Sequence, residues 1–84
     1  MEAMYSEQRN PGLRRHDLYE VRPRRDSDGV DLISDVFRYG PIWYAGPDAV
    51  RYAIAYAKYR SYSRSQRAVI RVLDDSGTVV QMHA

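Results

Sequence analysis

One stretch of the chain, residues 47–62 (PDAVRYAIAYAKYRSY), carries the periodicity of an α-helix. Its interior is rich in alanine, which favours helix. Gly46 as the N-cap, Pro47 in the first turn and Asp48 beside the positive end of the helix dipole predict where the helix begins. At about 100° per residue, one helix face is predicted to pack on the rest of the domain. That face holds Val50, Ala53, Ile54 and Ala57.

A second stripe on the same helix contains tyrosines at spacing i, i+4, i+7, nearly opposite the first face. These residues are Tyr52, Tyr56 and Tyr59. A surface helix of a single domain needs only one buried face, so the second stripe requires an explanation. The rings could lie against loops of the same chain with their hydroxyls in water. They could instead form an interface, because tyrosine is enriched at protein contacts and stacks on bases. The sequence alone leaves both interpretations open.

Alternating apolar and polar positions predict five strands around this helix. The predicted strands are residues 18–24, 30–37, 42–45, 68–73 and 78–82. Turn sequences at Asp28-Gly29 and at residues 74–77 separate neighbouring strands. The resulting order, β-β-β-α-β-β, predicts a two-layer α+β domain with one antiparallel sheet covered by one helix. The inward-facing residues of the last two strands are predicted to be Ala68, Ile70, Val72, Val80 and Met82.

These pieces resemble a small bacterial domain family of unknown function. The similarity rests on residues 19–24 (YEVRPR), the Asp28-Gly29 turn, the helix after Pro47 and the closing hairpin of residues 69–80. It implies the same order of strands and helix over about residues 18–82. The chain departs from the family where Val30 follows the glycine, since the family typically has a tryptophan there. The resemblance implies no catalytic residues.

The length of 84 residues predicts one small domain, residues 17–84, preceded by a polar N-terminal arm, residues 1–16. The chain has no cysteine, so neither a disulfide framework nor a thiolate metal site is expected. No apolar run approaches the ~18 residues of a membrane span, and the N-terminus has no apolar signal segment. We therefore expect a cytoplasmic protein with no membrane partner.

The charge is distributed unevenly, although the net charge is only +2. Residues 51–71 contain six basic residues and no acidic one, and tyrosines alternate with them. Cations that contact phosphates and aromatics that stack on bases are typical of nucleic-acid binding. The candidate contacts are Arg51, Arg60, Arg64 and Arg67. The standard RNA-binding motifs are absent. Arginine supplies twelve of the thirteen cations, a bias that a GC-rich genome would also produce.

No set of residues in the sequence predicts catalysis. His16 and His83 lie near opposite ends of the chain, which is weak evidence for a metal site. There is no phosphate-binding glycine loop and no serine nucleophile motif. We therefore expect a non-enzymatic interaction module without cofactor, metal or small-molecule substrate. Its predicted partner is a second copy or another protein, bound through the tyrosine stripe. The alternative is a sequence-tolerant nucleic-acid-binding domain that uses residues 51–71.

Overall fold

The computed structural model describes residues 16–25 and 28–84, and it confirms the predicted order β-β-β-α-β-β. One helix, α1, covers one face of a five-stranded sheet. The elements are β1 (His16–Pro23), β2 (Val30–Ile33), β3 (Ile42–Tyr44), α1 (Ala49–Ser63), β4 (Arg67–Leu73) and β5 (Val79–His83). Of the predicted N-terminal arm, residues 1–15 lie outside the described residues, and His16 begins β1.

The prediction of a fully antiparallel sheet is wrong, because the sheet is mixed. Its strand order is β3-β2-β1-β4-β5, and the central pair, β1 and β4, runs parallel with Tyr19 opposite Ile70. The other three pairs are antiparallel. Parallel neighbours need a crossover of a dozen or more residues. The segment that contains α1 is that crossover, since it carries the chain from β3 at one edge back over the sheet to the place beside β1.

The core lies between the covered face of the sheet and the alanines of α1. The helix buries Ala49, Ala53, Ala57 and Ser61, one residue in every four, whereas Val50 and Ile54 of the predicted face are only partly buried. The inward prediction for β4 is confirmed, and its buried residues are Ala68, Ile70 and Val72. Small side chains let the helix axis lie close to the strands, so the branched residues point to the sides of the contact.

The inward prediction for β5 is wrong. Val80 and Met82 are 55% and 60% exposed. Met82 pairs with Arg71, on the face of the sheet opposite the helix, and Gln81 pairs with the inward Val72. Within the described residues α1 packs on β1, β2, β3 and β4 but not on β5. The fifth strand therefore lies beyond the edge of the helix layer, where an alternating pattern does not predict burial.

The predicted second strand is too long, because β2 ends at Ile33. The Ser34 hydroxyl donates a 2.6 Å hydrogen bond to the Leu18 carbonyl and accepts one from the Val36 amide at 3.3 Å. The Phe37 amide donates to the Ser34 carbonyl at 3.2 Å, which closes a turn. This turn explains why the alternation is blurred after Ile33, and it brings Phe37 onto the core.

The helix begins two residues later than predicted, at Ala49, and its N-cap is Asp48 rather than Gly46. Gly46 adopts a left-handed φ of 92° in the preceding loop, and its carbonyl accepts a hydrogen bond from the Ala49 amide at 3.2 Å. The Asp48 side chain makes no capping hydrogen bond and instead forms an ion pair with Arg51, one turn along the helix, at 3.3 Å.

Candidate interaction surface

A buried polar network fixes the last turn of α1 to β1. The Ser61 hydroxyl donates to Asp17 Oδ2 at 2.7 Å and lies 2.7 Å from Tyr19 Oη, so the tyrosine is the donor in that second bond. Asp17, Tyr19 and Ser61 are all buried. Arg64, at the helix C-cap, donates to both carboxylate oxygens of Asp17, at 3.1 and 3.3 Å. The network sets the rotation of the helix and hence which residues face outward.

The protonation states of this network follow from burial and pairing. Burial raises the pKa of Tyr19, the hydrogen bond between Tyr19 and Ser61 lowers it in part, and the neighbouring Asp17 carboxylate raises it. The hydrogen bond to Asp17 raises the pKa of Arg64. Near neutral pH the tyrosine is therefore a neutral donor and Arg64 is a cation that is already paired. Because the polar groups satisfy one another, the network can hold the helix in one position on β1.

The predicted tyrosine stripe is divided by the structure. Tyr56 turns towards the sheet, with its ring centroid 6.2 Å from that of Phe37, and Phe37 lies 5.8 Å from Tyr19. Tyr56 is only partly exposed and belongs to the packing of the domain. Burial raises the pKa of the nearby Tyr44, and the Tyr56 hydroxyl adds to that increase. Of the three residues predicted to form an interface, Tyr56 therefore contributes mainly to packing within the domain.

Tyr52 and Tyr59 lie on the outer side of α1, and they are 54% and 66% exposed. Tyr62 continues the same side and is 82% exposed. Sequence reasoning missed Tyr62, although its spacing of three residues from Tyr59 places the two rings on one face. We call Tyr52, Tyr59 and Tyr62 the outer tyrosine face. Tyr59 also contacts Tyr56, with ring centroids 6.2 Å apart, so this face is continuous with the packed ring beneath it.

The four predicted arginines do not form one patch. Arg51 pairs with Asp48 and lies over the Tyr52 ring, 5.7 Å from its centroid. Arg60 is nine residues further along the helix, about 14 Å along its axis. Arg60 donates to the Val36 carbonyl at 3.3 Å, and its buried Nε has no hydrogen-bond partner among the described residues. Arg67 begins β4.

Two of those arginines share a groove between α1 and the loop that joins β2 to β3. We call it the arginine groove. Its volume is about 560 Å³. It is lined by Val36, Phe37, Arg38, Tyr39, Gly40, Ile42, Tyr56, Arg60 and Arg64. Asp17 already neutralises Arg64. The groove lies at the C-terminal half of the helix, where the dipole disfavours anions. Among the described residues, Arg38 and Arg60 are the cations of the groove that form no ion pair with a carboxylate.

Arg67 lines a separate cavity with His16, Tyr62 and Gln66. The two histidines of the sequence, His16 and His83, are only weak evidence for a metal site. His83 interacts with Gln81, with 3.1 Å between Nε2 and Oε1. Across residues 16–25 and 28–84, no group of three or more histidine, cysteine or acidic side chains is placed to hold a metal ion. Over the same ranges, no helix has the length and apolar character needed to cross a membrane.

Comparison with known proteins finds no matching family model, curated protein or solved structure. The resemblance to a bacterial family of unknown function stays a prediction. The function is therefore argued from the surfaces described above.

Proposed function

We propose that the chain is a non-enzymatic interaction module that binds a protein partner through the outer tyrosine face of α1. The observation that carries this proposal is the exposure of Tyr52 and Tyr59 on a helix whose alanine face is already buried. Tyrosine gives a large contact area at low cost in side-chain entropy, and it keeps a hydroxyl for hydrogen bonding at a wet interface. Tyr56 supports the face from below through its contact with Tyr59.

The rigidity of the helix adds to this proposal. The Asp17 network holds one end of α1, and the alanine contacts hold its length. A face on a rigid element loses little conformational freedom when a partner binds, which favours affinity. The outer tyrosine face also carries Arg51 and Lys58 beside its rings, both exposed. This composition, aromatic with cations at the edge, suits a partner surface that combines apolar and acidic residues.

The test replaces Tyr59 with glutamate and determines which protein partners the variant no longer binds. Tyr59→Glu is preferable to a change at Tyr56, since Tyr56 packs on Phe37 and its loss would disturb the fold. Tyr39→Glu is the matched control, because Tyr39 is 92% exposed but lies off the helix. Each variant is immobilised, and the proteins retained from the source cell extract are compared with those retained by the wild type. We expect Tyr59→Glu to lose partners that Tyr39→Glu keeps. Identical sets for the three proteins would contradict the proposal.

A second candidate function is sequence-tolerant binding of single-stranded nucleic acid at the arginine groove. The observation that favours it is the position of Arg60 and Arg38 beside Tyr39, whose exposed ring is free to stack on a base. Of the four predicted contacts, Arg60 fits this role best. Arg51 and Arg64 are paired with carboxylates, and Arg67 lines another cavity.

This candidate is tested with fluorescent oligonucleotides of mixed sequence. We expect binding to weaken steeply as salt increases, because phosphate contacts release counterions. Arg38→Gln should weaken binding at all sequences, whereas Arg71→Gln, a change of an exposed arginine in β4, should not. Absence of binding at low salt would remove this candidate.

A further inference from the structure

Among the described residues, the strand β5 is an unpaired edge of the sheet, and most of its exposed side chains are apolar. Val79, Val80 and Met82 are all more than 40% exposed. We propose that two copies of the chain pair antiparallel along β5, so that their two sheets join into one. The strand β5 is a different element from α1, which carries the outer tyrosine face, and the two surfaces meet at Tyr62 in a cavity beside the end of β5. The pairing does not depend on the partner proposed for that face.

The two edges of the sheet differ in how they are protected against such pairing. Natural proteins block sheet edges with short strands, proline or charged residues. The edge strand β3 has three residues, follows Pro41, and is covered at Trp43 by the Arg24 guanidinium, 4.9 Å from the ring centroid. The edge strand β5 has five residues, with neither proline nor lysine, arginine or a carboxylate. It does contain a β-bulge, because Val72 pairs with Gln81 and Leu73 with Val79, which leaves Val80 without a partner in β4. A bulge is one of the features that protect an edge, and this one lies at the hairpin end of the strand.

In the proposed dimer, a two-fold axis passes beside Gln81, so Gln81 of one copy lies opposite Gln81 of the other. Val80 of one copy then lies opposite Met82 of the other, and Met82 is on the sheet face that α1 leaves uncovered. Two such apolar cross-strand pairs form in each dimer, and pairs of this kind stabilise antiparallel strands. On the same face, Met82 lies beside the exposed Arg71 of β4.

Charged side chains lie at both ends of β5. At the hairpin end, Arg22, Arg24 and Arg25 line a pocket with the carboxylates of the hairpin. The hairpin before β5 carries Asp74 and Asp75. Asp74 accepts hydrogen bonds from the Ser76 and Thr78 amides at 2.9 and 3.0 Å, which order the turn. Asp75 is exposed and has no ion pair with any described residue. The hairpin therefore presents an unpaired carboxylate at one end of β5.

At the other end of β5 is a cavity of about 430 Å³ with two cations. It is lined by Lys58, Tyr62, Gln66, Arg67, Ala68 and Ala84. Ile70 pairs with His83, so the antiparallel register places Arg67 level with a position three residues after His83, beyond Ala84. In the register centred on Gln81, that level falls beside the hairpin of the second copy. The two backbones are then two strand spacings apart, about 10 Å. The Arg67 and Asp75 side chains span this gap, twice in each dimer.

The test is the oligomeric state, measured by light scattering and sedimentation equilibrium over a range of concentrations. We expect the wild type to be in a monomer–dimer equilibrium with a dissociation constant in the micromolar to millimolar range, since a single strand pair is a small interface. Asp75→Arg should raise the dissociation constant about tenfold, because it places like charges together twice. Arg67→Asp should do the same. Met82→Lys should abolish the dimer, since lysine blocks a sheet edge.

The decisive variant combines both charge reversals, Arg67→Asp with Asp75→Arg, and should restore the dissociation constant to within about threefold of the wild type. Asp35→Arg is the control, as it reverses an exposed acid on the β2–β3 loop and should leave the equilibrium unchanged. A wild type that stays monomeric to about 1 mM would overturn the proposal. An Asp75→Arg effect no larger than that of Asp35→Arg, or a double variant weaker than each single one, would also overturn it. Because all these residues are exposed, circular dichroism should confirm that every variant is folded.

Discussion

Asp17 and Ser61 are polar side chains buried at positions where an apolar residue would fill the core. Burying a carboxylate is costly unless hydrogen bonds and a cation compensate. Here Ser61 and Arg64 compensate it, and Ser61 in turn accepts from Tyr19. These hydrogen bonds have preferred directions, whereas apolar packing does not. The network thus contributes a unique helix orientation as much as stability.

Removal of the Ser61 hydroxyl is therefore expected to destabilise the fold. In Ser61→Ala, the Asp17 carboxylate and the Tyr19 hydroxyl each lose a buried partner, and the free energy of unfolding should fall by about 1–3 kcal/mol. Ser63→Ala is the matched control, because Ser63 is exposed and bonds only to the Arg60 carbonyl in its own helix. Its effect should stay within about 0.5 kcal/mol. Equal losses in urea unfolding would show that the buried network contributes nothing specific.

The raised pKa of Tyr19 gives stability a dependence on alkaline pH. A group whose folded pKa exceeds its unfolded value, about 10 for tyrosine, contributes fully below that value. The contribution is lost as the pH rises through the folded pKa, since the buried phenolate is disfavoured. Urea unfolding from about pH 9 to 11 should show this decline, and Tyr19→Phe should reduce its slope. Tyr44→Phe removes a separate part of the decline, because burial also raises the pKa of Tyr44. A Tyr19→Phe protein with an undiminished slope would contradict the assignment.

At the scale of elements, α1 and the sheet fit because the helix presents alanines to the strands. Ala53 and Ala57 are completely buried, whereas Ala55, on the other side of the helix, is exposed. The contact therefore depends on the absence of side-chain volume at defined positions. A larger residue has to push the helix away from β1 and β4, and the Asp17 network opposes that movement.

Ala53→Leu should consequently destabilise the protein by about 1–3 kcal/mol through overpacking. Ala55→Leu is the matched control, since leucine is nearly as good a helix former as alanine and the site is exposed. Its effect should be within about 0.5 kcal/mol. The comparison is made by urea unfolding at constant pH. If the two substitutions cost the same, the helix is not held close to the sheet.

The positions of the helix and strands along the chain could be predicted from sequence better than the pairing of the strands in the sheet. Alternation and turn residues located all five strands, because those properties are local. The parallel β1–β4 pair was missed, although a helix between β3 and β4 is the kind of crossover that parallel strands require. Met82 was assigned inward because alternation marks a face of a strand and does not say whether the helix reaches it. The buried role of Asp17 depends on contacts with residues more than 40 positions away, which no local pattern contains.

At the scale of the whole molecule, the open β5 edge and the outer tyrosine face lie on different elements, and α1 does not pack on β5 within the described ranges. The centre of the sheet is the parallel β1–β4 pair, which is also the most heavily contacted pair of strands. The edge strands, β3 and β5, lie on either side of this central part of the sheet. Local stability should follow this arrangement, since amides with few buried neighbours open without global unfolding.

Amide hydrogen exchange, followed residue by residue by NMR, tests this arrangement together with β5 pairing. Amides of β1 and β4 should exchange slowest, through global unfolding, and those of β3 and β5 faster, through local opening. If two copies pair along β5, raising the protein concentration should slow exchange in β5 and leave β3 unchanged, since only β5 gains a partner strand. In Asp75→Arg the slowing of exchange in β5 should require about tenfold higher protein concentration, while the order of protection in the rest of the sheet persists. Concentration-independent exchange in wild-type β5 would contradict the pairing, and slowing in β3 instead would show that the sheet associates through its other edge.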